Sequence, residues 1–213
     1  MKLAVLSESA ADEAAIRILV AGVLGRETQD ISLEPLRTRG WPAVINILPV
    51  VIPRLYYHTD ADALVVIVDS DDSPLHQINH EEVGQENTEC RLCQLRSVVR
   101  QLKSKLNPTP SRDIIQTALG LAVPSVEAWY RCGLDPHINE ATWARKLQGE
   151  KINYTRRSLK YDVYGTERPS LELETRYATE AAQRLINDIH TLERLFPSGF
   201  GPFMRDLNSW RVE

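Results

Sequence analysis

Residues 63–68 (Ala-Leu-Val-Val-Ile-Val) are an unbroken apolar run rich in β-branched side chains, and the chain turns directly from it into Asp69-Ser70-Asp71-Asp72. An apolar run this short, closed by acids, predicts a strand buried on both faces, as in a parallel sheet. Open α/β sheets bind their ligands in the crevice beyond the carboxyl ends of the strands. Three carboxylates in four positions therefore mark the place where chemistry is expected. Like charges packed so closely repel unless something positive lies between them, and a hard divalent cation with oxygen ligands is the economical answer. The plainer competing reading is an acidic turn that caps the next element.

The rest of the chain supports a β-α-β-α-β order. Leu3 to Leu6 read as a short apolar strand running into Glu8. From Asp12 to Leu24, apolar residues recur at helical spacing (Ala15, Ile16, Leu19, Val20, Val23), with Gly25 as the stop. Residues 31–37 alternate apolar and polar side chains and predict a second strand, nearer an edge because of Pro35. Ala43 to Tyr57 is apolar enough for a covering helix, which Pro49 and Pro53 are expected to kink or divide. This order predicts a parallel sheet with right-handed crossovers. Residues 73–89 lack periodicity and predict a polar loop. Residues 91–106 predict a basic helix with Leu92, Leu95, Val98, Val99 and Leu102 on one face. Residues 113–123 predict a fourth strand, and Pro124 then opens a helical turn carrying Glu127. Helices are expected at 139–148 and 170–195. A Phe196-to-Phe203 turn and a last short helix follow. The reading is an α/β, Rossmann-like parallel-sheet domain over residues 1–135, with an inserted loop at 73–93, and a helical C-terminal extension over 136–213 packed on it.

At 213 residues the chain can bury one sizeable core. No apolar stretch approaches the roughly 18 residues of a membrane span. Lys2 precedes only a strand-length apolar run, unlike a signal peptide. Three cysteines without an export signal point to a reducing cytoplasm rather than a disulfide framework. Charge is laid out in blocks: residues 69–89 hold seven acids and no Lys or Arg, whereas 91–105 hold five bases and no acid. Residues 145–160 hold six bases against Glu150 alone. An acidic centre flanked by basic tracts suits a polyanion bound or cut through a metal, with Arg91, Arg96, Arg100, Arg156 and Arg157 as candidate nucleic-acid contacts. Solvated helix faces explain each tract separately.

A glutamate after the first strand (Glu8), an Asp-x-Asp after the third (Asp69, Asp71) and a further glutamate after the fourth (Glu127) together resemble the Toprim domain. That domain is the metal-binding module of topoisomerases, primases and overcoming-lysogenisation-defect-type nucleases. The segment Ala122-Val-Pro-Ser-Val-Glu-Ala-Trp129 is similar to one in small stand-alone Toprim-like proteins of bacterial phage-defence cassettes, which stand beside an ATPase. The resemblance covers residues 3–130, and more loosely Lys160–Gly165 and Pro169–Thr175. Ser9 stands where the family has glycine. The resemblance implies metal-dependent nuclease chemistry at phosphodiesters of DNA or RNA, in an effector with an ATPase partner encoded nearby. In this picture Mg²⁺ or Mn²⁺ is held by Asp69, Asp71, Asp72 and Glu127, with Glu8 as ligand or general base. Lys160 is then a cation for the transition state. Glu127 is also placed where a helix dipole favours an acid, and Lys160 also reads as a surface lysine.

A second metal is suggested by His76-x3-His80-x9-Cys90-x2-Cys93, four zinc-type ligands within 18 residues. Structural Zn²⁺ would pin a loop too poor in apolar residues to pack. Cys90 and Cys93 simply belonging to the helix is the alternative, and Cys132 reads as a small buried side chain. Trp129, Trp143 and Trp210 are expected in the core. Phe196, Phe200 and Phe203 are expected to dock the C-terminal helices, or to face a protein partner. Two other functional classes fit parts of the pattern. One is a sugar-nucleotide glycosyltransferase using Asp-x-Asp, which leaves Glu127 without a role. The other is a catalytically inactive Toprim-like scaffold that binds a partner. A homo-oligomer is compatible with all of these readings.

Overall fold

The computed structural model describes residues 1–33, 40–82, 84–110 and 112–210. Its centre is a four-stranded parallel sheet built from β1 (Lys2–Leu6), β2 (Gln29–Asp30), β3 (Ala63–Asp69) and β4 (Gln116–Ala122), in the order β2-β1-β3-β4. β3 is paired on both sides: Leu3 to Leu6 lie against Ala63 to Val66, and Gln116 to Ala122 run alongside the whole of Ala63 to Asp69. An unbroken apolar run is what a strand needs when both of its faces are covered. Here Ala63 to Val68 are all buried.

The connections are helices: α1 (Ala10–Leu24) after β1, α2 (Trp41–His58) before β3, and α3 (Arg91–Ser104) between β3 and β4. Right-handed crossovers put α1 on one face of the sheet and α2 with α3 on the other. The packing agrees, because α2 lies on β3 and α3, while α1 lies on β1. Ser9 caps α1 by accepting from the Asp12 N–H (3.2 Å), and Gly25 closes it at φ +64.

After β4 the chain forms α4 (Val126–Tyr130), α5 (Glu140–Leu147), α6 (Arg156–Tyr164), α7 (Leu171–Leu185), α8 (Ile189–Leu195) and α9 (Phe200–Asn208). These helices pack onto the sheet unit. α7 runs along α1, and α9 lies directly on β4. A single core cluster includes residues from β1 through Trp210, with Phe196, Phe200 and Phe203 fully buried in it.

Several expectations change in detail. The second strand forms at Gln29–Asp30, ahead of the predicted 31–37. It is an edge strand as expected, and residues 34–37 lie outside the described residues. α2 is one continuous helix despite Pro49 and Pro53. The two prolines are four residues apart, so they share a face that does not enter the core. The carbonyls deprived of partners can there be solvated. Residues 156–164, between the helices expected at 139–148 and 170–195, are a further helix, capped by Thr155 with Ser158 and closed by Gly165. The polar loop after β3 contains a short 3-10 helix at Ile78–Glu81. The last helix begins at Phe200, inside what reads as a turn, because Pro202 falls in a first helical turn, where its missing N–H costs nothing.

Candidate functional site

The strand order reverses direction between β1 and β3, and the acids meet there. The Asp69 N–H donates to Glu8 Oε1 (2.9 Å), joining the carboxyl ends of the two strands. Asp69 Oδ1 accepts from the Val126 N–H (3.1 Å), at the start of α4. Glu127 is in that same first turn. Its Oε2 accepts from the Ser125 hydroxyl (2.6 Å), and the residue is 8% exposed. Asp12 of α1 completes the group beside α4. It accepts from the Tyr130 hydroxyl (3.1 Å) and the Ser9 hydroxyl (2.8 Å), and it too is buried.

The electrostatics follow from crowding. Burial, then Glu127 and Glu8, push the Asp69 carboxyl well above the usual range. Burial, then Glu127, hold Asp12 up at about 7. Burial also raises Glu8, against the lowering effect of the Asp69 N–H bond. Two tyrosines in the same neighbourhood, Tyr130 and Tyr164, are raised first by burial and next by these acids.

Asp71 adopts φ +51, a left-handed conformation that aspartate tolerates better than most residues. Its backbone is clamped on both sides: its N–H donates to the Pro124 carbonyl (2.9 Å), and its carbonyl accepts from Trp143 Nε1 (3.1 Å). The Asp71 carboxylate sits between Arg91 (2.7 Å) and Arg156 (2.6 Å). Arg91 also donates to the Asp69 carbonyl (2.7 Å) and lies over the Trp41 ring. Asp72 is at the rim, paired with Lys146. Beyond it opens a groove of about 490 Å³ lined by Asp72, Trp143, Lys146, Thr155, Arg156, Arg157 and Lys160.

Glu8, Asp69, Asp71, Asp72 and Glu127 are thus brought to one end of the sheet. Lys160 lines the adjoining groove and pairs with Glu174 of α7 (3.2 Å). The five candidate arginines do not share one surface. Arg91 and Arg156 turn onto Asp71, and Arg157 pairs with Glu167 beside the groove. Arg96 and Arg100 line a different groove with Lys103 and Asp206, and Arg96 pairs there with Glu81 and Asp206. Sequence reasoning missed Asp12, Trp143 and Lys146. Asp12 did carry a signal, being an acid on the inward stripe of α1 with Ala15, Ile16 and Leu19.

Among the described residues, one set of metal-type ligand atoms lies within 4.8 Å of one another: His76, His80, Cys90 and Cys93. The carboxylates are spread more widely, Asp71 being drawn onto its arginines. No helix among the described residues is long and apolar enough to cross a membrane. No protein-family model matches the chain, and neither a curated protein nor a solved structure matches it.

Proposed function

We propose that this protein is a metal-dependent enzyme of phosphodiester cleavage on DNA or RNA, with a Toprim-like arrangement of acids. The observation that carries the reading is the junction of two surfaces. Acids from the loop after β1 (Glu8) and from β3, α1 and α4 meet at the sheet's switch point, and the Asp71–Arg156 pair links them to a groove lined by Lys146, Arg157 and Lys160. A phosphate backbone laid along that groove would meet cations first and the acids at its end. Glu8, Asp69 and Glu127 would hold Mg²⁺ or Mn²⁺, with Asp71 and Asp72 at the rim. The cation, when bound, polarises the phosphoryl group and offsets the charge of the attacking and leaving oxygens. Ser125 and the Val126 N–H orient Glu127 and Asp69 before any ligand arrives. In the setting the resemblance implies, an ATPase partner would hold the activity in check.

A second reading, a catalytically inactive binding scaffold, is favoured by one observation. The Asp71 carboxylate is paired with two guanidinium groups, those of Arg91 and Arg156. One assay separates the two: single- and double-stranded DNA and RNA incubated with Mg²⁺, Mn²⁺ or EDTA. The expected result is metal-dependent cleavage that Asp69→Ala abolishes, while Arg157→Ala weakens binding in a salt-dependent way. Silence of the folded wild type in every lane, with no Mg²⁺-induced shift in melting temperature, would sink the enzymatic reading in favour of the scaffold.

A further inference from the structure

We propose that His76, His80, Cys90 and Cys93 form a closed tetrahedral Zn²⁺ site that fastens the segment after β3 to α3 and α9. The inference stands independently of the carboxylate site. The four ligand atoms lie within 4.8 Å of one another. His76 Nδ1 is 3.5 Å from Cys93 Sγ and 3.7 Å from Cys90 Sγ. A tetrahedral ion with Zn–S of about 2.3 Å and Zn–N of about 2.0 Å separates sulfur from nitrogen by about 3.5 Å. Thiol hydrogen bonds explain these distances less well, because Nδ1 has one in-plane lone pair and two sulfurs point at it.

The tautomer is also set for a metal. His76 Nε2 meets Glu81 Oε1 at 3.2 Å, so a proton there leaves Nδ1 as the free lone pair. A carboxylate behind a ligating imidazole is the usual supporting partner. Glu81 in turn is held by Arg96 of α3 (3.1 Å) and Arg205 of α9 (2.6 Å). Cys90 is the N-cap of α3 with no capping bond from its side chain, and Cys93 is in the first turn. Two thiolates and Zn²⁺ sum to zero, so closing the site buries no net charge. Four protein ligands leave no open position, which marks a structural rather than a catalytic ion.

The need for such a clip is visible in the burial pattern. Among the described residues from 71 to 89, His76 is the only one that is buried. Polar contacts hold its two ends, at Asp71–Asp72 and Glu81, and with Leu75 only partly buried the segment has little hydrophobic holding of its own. The clip also sits behind the acids, because Arg91, between the two cysteine ligands, reaches Asp71 and the Asp69 carbonyl.

The test uses the full chain purified without chelator. Elemental analysis should give about one zinc per chain. Replacement by Co²⁺ should give thiolate-to-metal charge-transfer bands with tetrahedral d–d absorption. Chelation should lower the melting temperature by roughly 5–10 °C. Cys90→Ala/Cys93→Ala should lose zinc entirely. If that variant does not fold, His80→Ala, altered at a half-buried ligand, should lower the zinc content. Asp69→Ala should retain it, which keeps this test separate from the carboxylate reading. A wild-type protein that takes up no zinc overturns the proposal, and so does a Co²⁺ spectrum without thiolate bands. A Cys90–Cys93 disulfide in the purified protein, or unchanged zinc in the cysteine variant, overturns it equally.

Discussion

Asp69 and Glu140 are both acids withdrawn from water, and their surroundings differ in kind. Asp69 is crowded by other carboxylates, whereas Glu140 receives two backbone donors, the N–H groups of Ser198 and Gly199, each at 2.7 Å. Burial still prevails over those bonds and holds Glu140 at about 7, against an ordinary 4.5. Between those two values the folded protein keeps a proton that the unfolded chain has released. Stability from this group is therefore complete at pH below about 4.5, falls as pH rises through 7, and then levels off. The loss from Glu140 is at most about 3 kcal/mol. Urea unfolding of the wild type at pH 5 and pH 8 should show the drop, and Glu140→Gln should show a smaller one. Equal slopes would mean that Glu140 is ionised throughout. Asp12, held near the same value, adds a slope of the same sign that the variant retains. At this scale the sequence was informative where an acid ends a strand, as with Glu8, Asp69 and Asp71. It was less so for Asp12, whose carboxylate reads as one polar position on an apolar helix stripe.

The turn from Pro197 to Gly199 is where an element depends on a single missing methyl group. A Cβ on Gly199 would stand 1.8 Å from the Leu121 carbonyl oxygen, and that atom is backbone and cannot swing away. The Leu121 N–H donates to the Gly199 carbonyl (3.3 Å), so the turn is docked edge-on to β4. Gly199→Ala should therefore cost about 3 kcal/mol or more, lowering the melting temperature by roughly 6–12 °C. Gly201→Ala is the matched control, since its Cβ would meet only the tip of Arg205 at 3.7 Å inside α9, and it should be nearly neutral. Similar losses for both would indicate a loose turn rather than a docked one. Local signals explain why α1 was legible and α6 was not. Both helices carry a cap and a closing glycine (Ser9 and Gly25, Thr155 and Gly165), but α1 has a long apolar stripe whereas α6 buries only Leu159 and Tyr164. α2 shows the opposite failure. Two prolines argue for a break, yet burial of Val44, Leu48, Val51, Ile52, Leu55 and Tyr56 on the other side outweighs two lost hydrogen bonds.

Across the whole molecule, the C-terminal helices cover the sheet. Phe196, Phe200, Phe203, Leu207 and Trp210 are buried in the same core as β3 and β4. At about 2 kcal/mol for each such side chain, their burial is worth on the order of 10 kcal/mol, comparable with the net stability of an ordinary domain. A chain ended at residue 135 should keep its helical circular-dichroism signal, lose the aromatic near-ultraviolet signal and bind a hydrophobic dye. A cooperative, dye-free unfolding transition of that fragment would show that residues 1–135 stand alone. The sequence by itself determined the α/β alternation, the parallel central strand and the acids at the strand ends. These depend on short-range patterns: an apolar run of strand length, helical spacing, and a carboxylate placed where a strand stops. Only the tertiary structure decided which charges meet. Arg91 and Arg156 stand 65 positions apart in the chain and close on one carboxylate. Asp12 finds Tyr130, and His76 is set between two cysteines and Glu81. Such encounters depend on how helices from distant parts of the chain are laid across one sheet. That arrangement follows from burying one shared core, which no local pattern of residues encodes.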